Sequence, residues 1–429
     1  GGAGGRWGLR AAAPAEKGAV LLSVPFGACL ACRREGPKLR GGDWGAGPWR
    51  WASEGEAVPG LPWDLRLALG LVDLSERQAT QAASGAGAGA GAGAEAGGTE
   101  DAGAFLGDYL RHWAPPVEEL MLPFCLEEAE LREFQHGALE EGALEQQRRL
   151  AGTFPELMPG PDGALPQPPP LAQGQPPTLA PAPGGWWAAP GGPGPLQAGL
   201  ALVRSRAFEQ GGGSFAYVPF LDMANHSEDP SADYMTTREG NFVLFCRRDL
   251  AEGEAVTISY GAHTNQRMMA QYGFVPVGGN PHDRLDLLTD LHFGGGFRGF
   301  PLERVQAAVG DVPFLLALEG RDPRLTAAMK SLPLLAEEEG QAPGEAGQAA
   351  VERERQWGEA QRDLARALQQ RCLKELGSCP TSLEEDLALQ EGGAAPLPSP
   401  GVEAALLYRI ERKRLILRSA EVLGALASA

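Results

Sequence analysis

Basic residues are scarce in this sequence: 37 Lys and Arg stand against 55 Asp and Glu, for a formal net charge of -18. A surface of that sign repels nucleic-acid phosphates and anionic headgroups, which excludes non-specific binding to either, whereas a basic protein partner would be attracted. Long apolar runs are missing too. No stretch approaches the ~18 continuous apolar residues of a membrane span, so no membrane partner is expected. No signal-peptide pattern opens the chain, which begins at Gly1 without Met, and its first residues do not report a compartment. Cysteine is sparse, with six residues at positions 29, 32, 125, 246, 372 and 379. They are too scattered for a disulfide framework, and a reducing compartment is expected. Cys29 and Cys32 form one C-x-x-C, but no second pair of Cys or His lies nearby to complete four zinc ligands, so we read two buried thiols and no metal. Hydrolase signatures are absent as well: there is no H-E-x-x-H and no G-x-S-x-G, Ser214 standing in GGGSFA without the final Gly.

Glycine and proline, by contrast, are plentiful. The 60 Gly and 36 Pro concentrate in ASGAGAGAGAGAEAGG (83–98) and between Pro155 and Pro195, tracts that cannot bury enough side chain to offset their ordering and that we expect as surface loops. The remaining chain is apolar enough for a core and, at 429 residues, long enough for two or three domains of ~150 residues.

Along the chain, GGRWGLRAAAPAEKGAVLLSVPFGACL places two short β-like runs about a turn at Glu16-Lys17-Gly18, which predicts a hairpin. PWDLRLALGLVDL has helical spacing behind Pro62. Three or four amphipathic helices are predicted between Ala104 and Leu150, in FLGDYLRHW, PVEELMLPF and LEEAELREFQHGALEEGALEQQRRL. PLQAGLALVRSRAF resumes as helix, and β character returns in FAYVPFLDMANHS, NFVLFCRRD and EAVTISYG, with Ala251–Glu254 as a hairpin-like turn between the last two. From Leu302 onward the pattern is helical, interrupted at 339–348. Gly294, Gly296 and Gly299 match a dinucleotide-loop spacing but lack the β-α-β unit around it, and read as a loop between domains.

Two stretches carry chemistry. In VPFLDMANHS an apolar run, Val218 to Leu221, predicts a strand that delivers Asp222, Asn225, His226 and Ser227 to one spot. The triplet matches a glycosylation sequon in form, but it ends an apolar strand. Asp222 and His226 lack the further ligands that a zinc site needs. A backbone-satisfied buried histidine would explain His226 alone. TISYGAHTNQRMMAQYGFV places Tyr260 at a strand end and Tyr272 twelve residues on, each before a Gly. They are either two structural aromatics or the lining of a tight polar channel, which a Gly beside each hydroxyl-bearing ring allows the backbone to approach.

VPFLDMANHS, then ISYG-x-H-T-N and QYGFV-x-x-x-x-NPHD, together with GGRWGLRA, LVRSRAF and ALLYRIERKRLIL in order, resemble the SET-domain protein methyltransferases of the Rubisco large-subunit lysine methyltransferase-like type. The resemblance spans nearly the whole chain apart from the Gly and Pro tracts. It implies an α+β architecture: a β-rich SET fold split by a helical insert and followed by an all-helical C-terminal substrate-binding domain. The corresponding ranges are 1–75 and 208–283 for the SET parts, 76–207 for the insert and 284–429 for the last domain. It further implies S-adenosyl-L-methionine as cofactor, held by Gly5, Arg6, Trp7, Asn225 and His226. Tyr260 and Tyr272 would be catalytic, and Arg206, Asp222 and Tyr234 would line the substrate site with them. The expected partner is a protein bearing the target lysine, Rubisco large subunit or another plastid or cytosolic protein, with the enzyme a monomer in chloroplast or cytoplasm. Relatives directed at histidine keep the equivalent of Tyr260 but lack that of Tyr272, so Tyr272 leans towards lysine. The start departs from the usual E-G-x-G-L by carrying Arg6 and Trp7, which keeps open a second function class, a SET-fold module that only binds a basic partner.

Overall fold

The computed structural model describes residues 8–33, 39–40, 61–83, 100–116, 119–158, 193–209, 213–276, 279–283, 366, 369–392 and 397–428. These divide into two units. The first is drawn from Gly1–Arg132, Leu139–Phe274 and Ser399–Ala404, the second from Glu133–Ala138, Val275–Pro398 and Ala405–Ala429. The Gly5-Arg6-Trp7 turn, the 83–98 tract but for its first residue, most of the Pro-rich gap, Gly294 to Gly299 and the helical patterns at 302–365 lie outside the described residues.

The β part of the first unit consists of three small sheets among the described residues. Strands β1 (Leu9–Arg10), β10 (Ala255–Ile258) and β7 (Asn225–His226) form one; β2 (Val20–Val24), β9 (Phe242–Cys246) and β8 (Ala232–Thr236) form the second. The third runs β4 (Leu39–Arg40), β3 (Leu30–Arg33), β6 (Ser214–Tyr217), β5 (Ala207–Glu209).

This pairing corrects both hairpin expectations. β1 does not pair with β2, nor β9 with β10; instead β1 pairs with β10 and β2 with β9, both antiparallel. Backbone bonds between Ala11 and Gly253 or Glu254, the Ala15–Leu250 bridge, and bonds from Gly18 and Ala19 to Cys246 join the two pairs into one long ribbon. Each turn therefore carries its own arm from one sheet to the next. Gly18 (φ 87°) and Gly253 (φ 78°) supply the left-handed residue that each bend requires.

A third correction concerns Val218–Leu221. β6 ends at Tyr217, Phe220 takes φ 65°, and a 3-10 turn follows over Leu221–Met223 before the two-residue strand β7. Burial of Val218 and Leu221 explains the apolar run without a strand. PVEELMLPF likewise forms no α-helix among its described residues: Glu119 is in 3-10 conformation and a 3-10 turn spans Pro123–Cys125, consistent with Pro123 lacking the amide proton that a longer helix would use.

Between the strands in chain order come helices α1 (Trp63–Ala83), α2 (Glu100–Trp113), α3 (Glu128–Arg132), α4 (Gly137–Thr153) and α5 (Pro195–Arg206), of which α1 packs on β3 and β6 and α5 on β5. α5 is started by Pro195 at its first position and by the Gly194 amide donating to Gln197 Oε1 (3.0 Å). Its residues 195–203 are all buried. Gly199 is where it crosses α1: a Cβ there would lie 3.0 Å from the Ala68 carbonyl oxygen. Burying the leucines of α1 and α5 contributes roughly 1.5–3 kcal/mol each. This anchoring fixes where the last turn, with Arg204 and Arg206, emerges, and cations there are also favoured by the helix dipole. α6 (Asn265–Tyr272) is capped by Thr264, whose side chain accepts from the Arg267 amide (3.2 Å), and ends on Gly273 at φ 78°.

The described part of the second unit is helical: α7 over 369–378, α8 (Leu383–Glu391) and residues 405–428 of α9 (Pro400–Ser428). α8 begins with a reciprocal cap, Ser382 Oγ accepting from the Glu385 amide and Glu385 Oε2 from the Ser382 amide. Segment Glu133–Ala138 packs in the same unit, Phe134 meeting Tyr408 edge-on at 5.5 Å. Among the described residues no helix is long and apolar enough to cross a membrane.

Candidate active site

The end of α5, the 3-10 turn, β8, the end of β10 and α6 enclose a cavity of about 690 Å³. Arg206, Asp222, Tyr234, Tyr260 and Tyr272 all line it, so five of the sequence candidates, 66 residues apart at the extremes, meet at one place. Asn225 and His226 are not among its lining residues; they stand in β7, directly behind Ala224, which is.

Asp222 is the rigid centre. Its side chain is fully buried and its oxygens accept from the hydroxyls of Tyr109 (2.6 Å) and Tyr217 (2.8 Å). Arg206 Nη1 approaches the carboxylate at 3.5 Å and donates to the Asp222 backbone carbonyl at 2.7 Å. Burial pushes the carboxyl above its ordinary value, opposed by the Arg206 charge and the three donors. Burial also lowers the Arg206 guanidinium, but Asp222 leads the charges that hold it above its ordinary value. Tyr109 and Tyr217 are held protonated by burial and by the adjoining carboxylate. Sequence reasoning missed Tyr109, although it stands in FLGDYLRHW. Its hydroxyl also accepts from the Phe220 amide (3.0 Å), which pins the strained φ of that residue.

The aromatic wall is built around Tyr260. Its hydroxyl donates to the Ala224 carbonyl (2.8 Å) and its amide to His226 Nδ1 (3.1 Å). Nδ1 therefore carries no proton in this arrangement, and Nε2 donates to Glu228 Oε1 (3.0 Å), which fixes the tautomer. Tyr272 packs on Tyr260 with ring centroids 4.8 Å apart, and its hydroxyl reaches the Tyr260 carbonyl at 3.4 Å. Phe274 touches Tyr260, Tyr272 and His226 at 6.2 to 6.4 Å. Burial pushes the Tyr260 phenol up to about 12, and raises Tyr272 and Tyr234 as well. At neutral pH these phenols are hydrogen-bonding groups, not bases. Tyr234 meets Phe208 edge-on at 4.9 Å, closing the β8 side.

β7 and β10 run parallel, Asn225 opposite Thr257 and His226 opposite Ile258. A Cβ on Gly8 would lie 2.6 Å from Asn225 Nδ2, so glycine there lets the start of the described chain close on the Asn225 amide. Cys29 and Cys32 are buried in the core, which pushes both thiols up to about 12.

A family model described as SET domain matches residues 6–261. A comparison with curated proteins finds no match. Among solved structures, the SET domain of LSMT bound to lysine and AdoHcy aligns with TM-score 0.50 and 17% identity, over 99% of this chain and 86% of that one. Rubisco LSMT bound to AdoMet aligns with TM-score 0.51 and 17% identity, over 97% and 84%. At that identity the likeness shows a shared fold.

Proposed function

Since the chain belongs to the SET domain family, its matched region covering most of the length and holding Arg206, Asp222, Asn225, His226 and Tyr260, we propose that it is an S-adenosylmethionine-dependent protein-lysine N-methyltransferase. The observation that carries this reading is the convergence of Tyr234, Tyr260 and Tyr272 on one cavity, with the Asn225-His226 strand held against its back wall by the Tyr260 amide. The lysine and AdoHcy in the LSMT structure support the same pairing of ligands.

The residues present fit the cofactor. The Asn225 amide faces a glycine-lined chain entry at Gly8, and the β7 backbone beside it offers hydrogen-bonding groups for an amino acid or an adenine edge. Asn225, His226 and the Gly5-Arg6-Trp7 turn would hold it. S-adenosylmethionine, when bound, supplies an electrophilic methyl group on a sulfonium.

The chain's own residues then have three tasks. They must orient the incoming amine, lower its proton affinity and exclude water. An in-line displacement needs the amine lone pair aimed along one axis, and packing of the substrate stem between aromatic rings would restrict it to that axis. A lysine ammonium has a reference pKa of ~10.4, and desolvation among Tyr234, Tyr260, Tyr272 and Phe274 favours the neutral amine. Because the Tyr260 proton is committed to the Ala224 carbonyl, its oxygen is left as an acceptor for an amine N–H. Arg206 and Asp222 complete the wall without offering a free charge.

Radiolabelled methyl transfer to basic protein substrates tests this. Tyr260→Phe removes the acceptor and Asn225→Ala the cofactor amide, and each is expected to lower transfer by about 100-fold or more, on the scale of losing one preorganised polar contact. Full transfer in both variants would overturn the assignment.

A further inference from the structure

His263 has no task in that scheme, yet its ring lines the same cavity. It lies nearly parallel to Tyr272, with centroids 6.1 Å apart and 21° between the planes. It hydrogen-bonds the Tyr260 and Ala262 backbone, which ties it to the peptide whose carbonyl also receives the Tyr272 hydroxyl. Gly261 makes room for it: at φ 107°, a Cβ there would sit 3.1 Å from His263 Nε2. The imidazole is thus built into the wall beside the two tyrosines.

What it adds to that wall is a charge that can be switched. Tyr260 and Tyr272 stay neutral, and the Asp222 carboxylate is balanced by Arg206. Burial, and then Arg267 on the following helix, disfavour a positive charge at His263, while its bonds to the Tyr260 and Ala262 backbone favour one; His226 stands on the other side of Tyr260. Tyr234 and Glu209 line the cavity as well. An uncharged imidazole leaves the wall open to a cation, whereas an imidazolium on the same wall repels one.

We propose that His263 is a specificity-determining residue, admitting the cationic side chain of the substrate only while its own ring is uncharged. The inference rests on the lysine-transfer reading and deepens it, since lysine reaches the cavity as an ammonium. No bond is made or broken at His263. As the medium is acidified, the imidazole takes up a proton from solvent and the substrate is excluded.

Two measurements on the full chain decide it. The first is the pH profile of kcat/KM for a lysine peptide between about pH 5 and pH 8. Deprotonation of the substrate amine alone gives a slope of about one in the logarithmic plot; a titrating His263 raises it to about two at the acid end. His263→Gln keeps an N–H donor for the backbone but cannot charge, and is expected to show a slope of about one throughout. A variant profile as steep as the wild type would overturn the proposal. The second compares binding of the lysine peptide with that of its norleucine counterpart, which has no charge. Acidification is expected to weaken the lysine peptide by about tenfold per pH unit below the titration and to leave norleucine unchanged. Equal weakening of both would overturn the proposal even if His263→Gln were inactive. If wild type transferred no methyl group at any pH while the two peptides still diverged, the methyltransferase reading would fail and the charge gate would stand.

Discussion

Among the described residues, Asp222 in the first unit and Asp386 in the second both have no exposed side-chain surface, and they are satisfied in different ways. Asp386 meets two cations, Arg409 Nε at 3.0 Å and Lys413 Nζ at 2.5 Å, and the Thr381 hydroxyl at 2.7 Å. Lys413 spends its other donors on Gln135 and Thr381, and Arg409 binds Glu133 at 2.6 Å. Asp222 meets one guanidinium at 3.5 Å and two phenols. The first arrangement is an ion network with charges of both signs. The second satisfies a carboxylate largely with uncharged donors on the wall of a cavity proposed to receive a cation. A fold-specifying network can hold charges of both signs, whereas a site for an ammonium is better served by phenols, which bring hydrogen bonds without adding charge.

Breaking the Asp386 network should have the largest effect on stability. Asp386→Ala would leave Arg409 and Lys413 buried without their shared counter-ion, a loss of about 3–5 kcal/mol in the denaturant unfolding of the whole chain. A loss below about 1 kcal/mol would show that the network contributes little net stability. Asp222→Asn should cost less, about 1–3 kcal/mol, because the amide retains shape and some hydrogen bonding. Its stronger signature should be functional: Arg206 loses its carboxylate, and methyl transfer is expected to fall about tenfold, equivalent to ~1.4 kcal/mol. Wild-type transfer with reduced stability would make Asp222 a scaffold residue alone.

A third effect, small at neutral pH and growing as the medium is acidified, sharpens the contrast. His136 in the second unit is buried, with Nδ1 at 2.7 Å from the Tyr408 hydroxyl, and burial followed by the Arg412 charge pulls its pKa down to about 3. The folded protein therefore resists a proton that the unfolded chain accepts below the ordinary histidine value of 6.5. Stability contributed by the neutral ring is present above that value and is lost as pH falls towards about 3, by at most ~1.4 kcal/mol per pH unit. His136→Phe should flatten that part of the stability profile; an unchanged slope would assign the acid sensitivity elsewhere.

The contrast also shows what a sequence can disclose. Tyr260 and Tyr272 are legible because each is followed by a glycine whose left-handed backbone the turn demands, φ 107° at Gly261 and 78° at Gly273. Arg206 and α5 are legible from an apolar helical run ending in cations. Partnerships across the chain are not. Tyr109 lies 113 residues from Asp222, and nothing in FLGDYLRHW distinguishes its hydroxyl from any other. The ribbon is hidden for the same reason: the turns at 16–18 and 251–254 are local signals, while the pairing of β1 with β10 is set by which apolar faces meet in the core. Val218–Leu221 misleads because burial, which the apolar run does report, does not require a strand.

The central claim is that the cavity bounded by Tyr234, Tyr260 and Tyr272 transfers a methyl group to lysine. Mass spectrometry of a basic acceptor protein, incubated with S-adenosylmethionine and either wild type or Tyr260→Phe, tests it most directly. The account predicts methylated lysine with wild type and at most a trace with the variant. Methylation confined to histidine, or none with wild type although the cofactor binds, would contradict it.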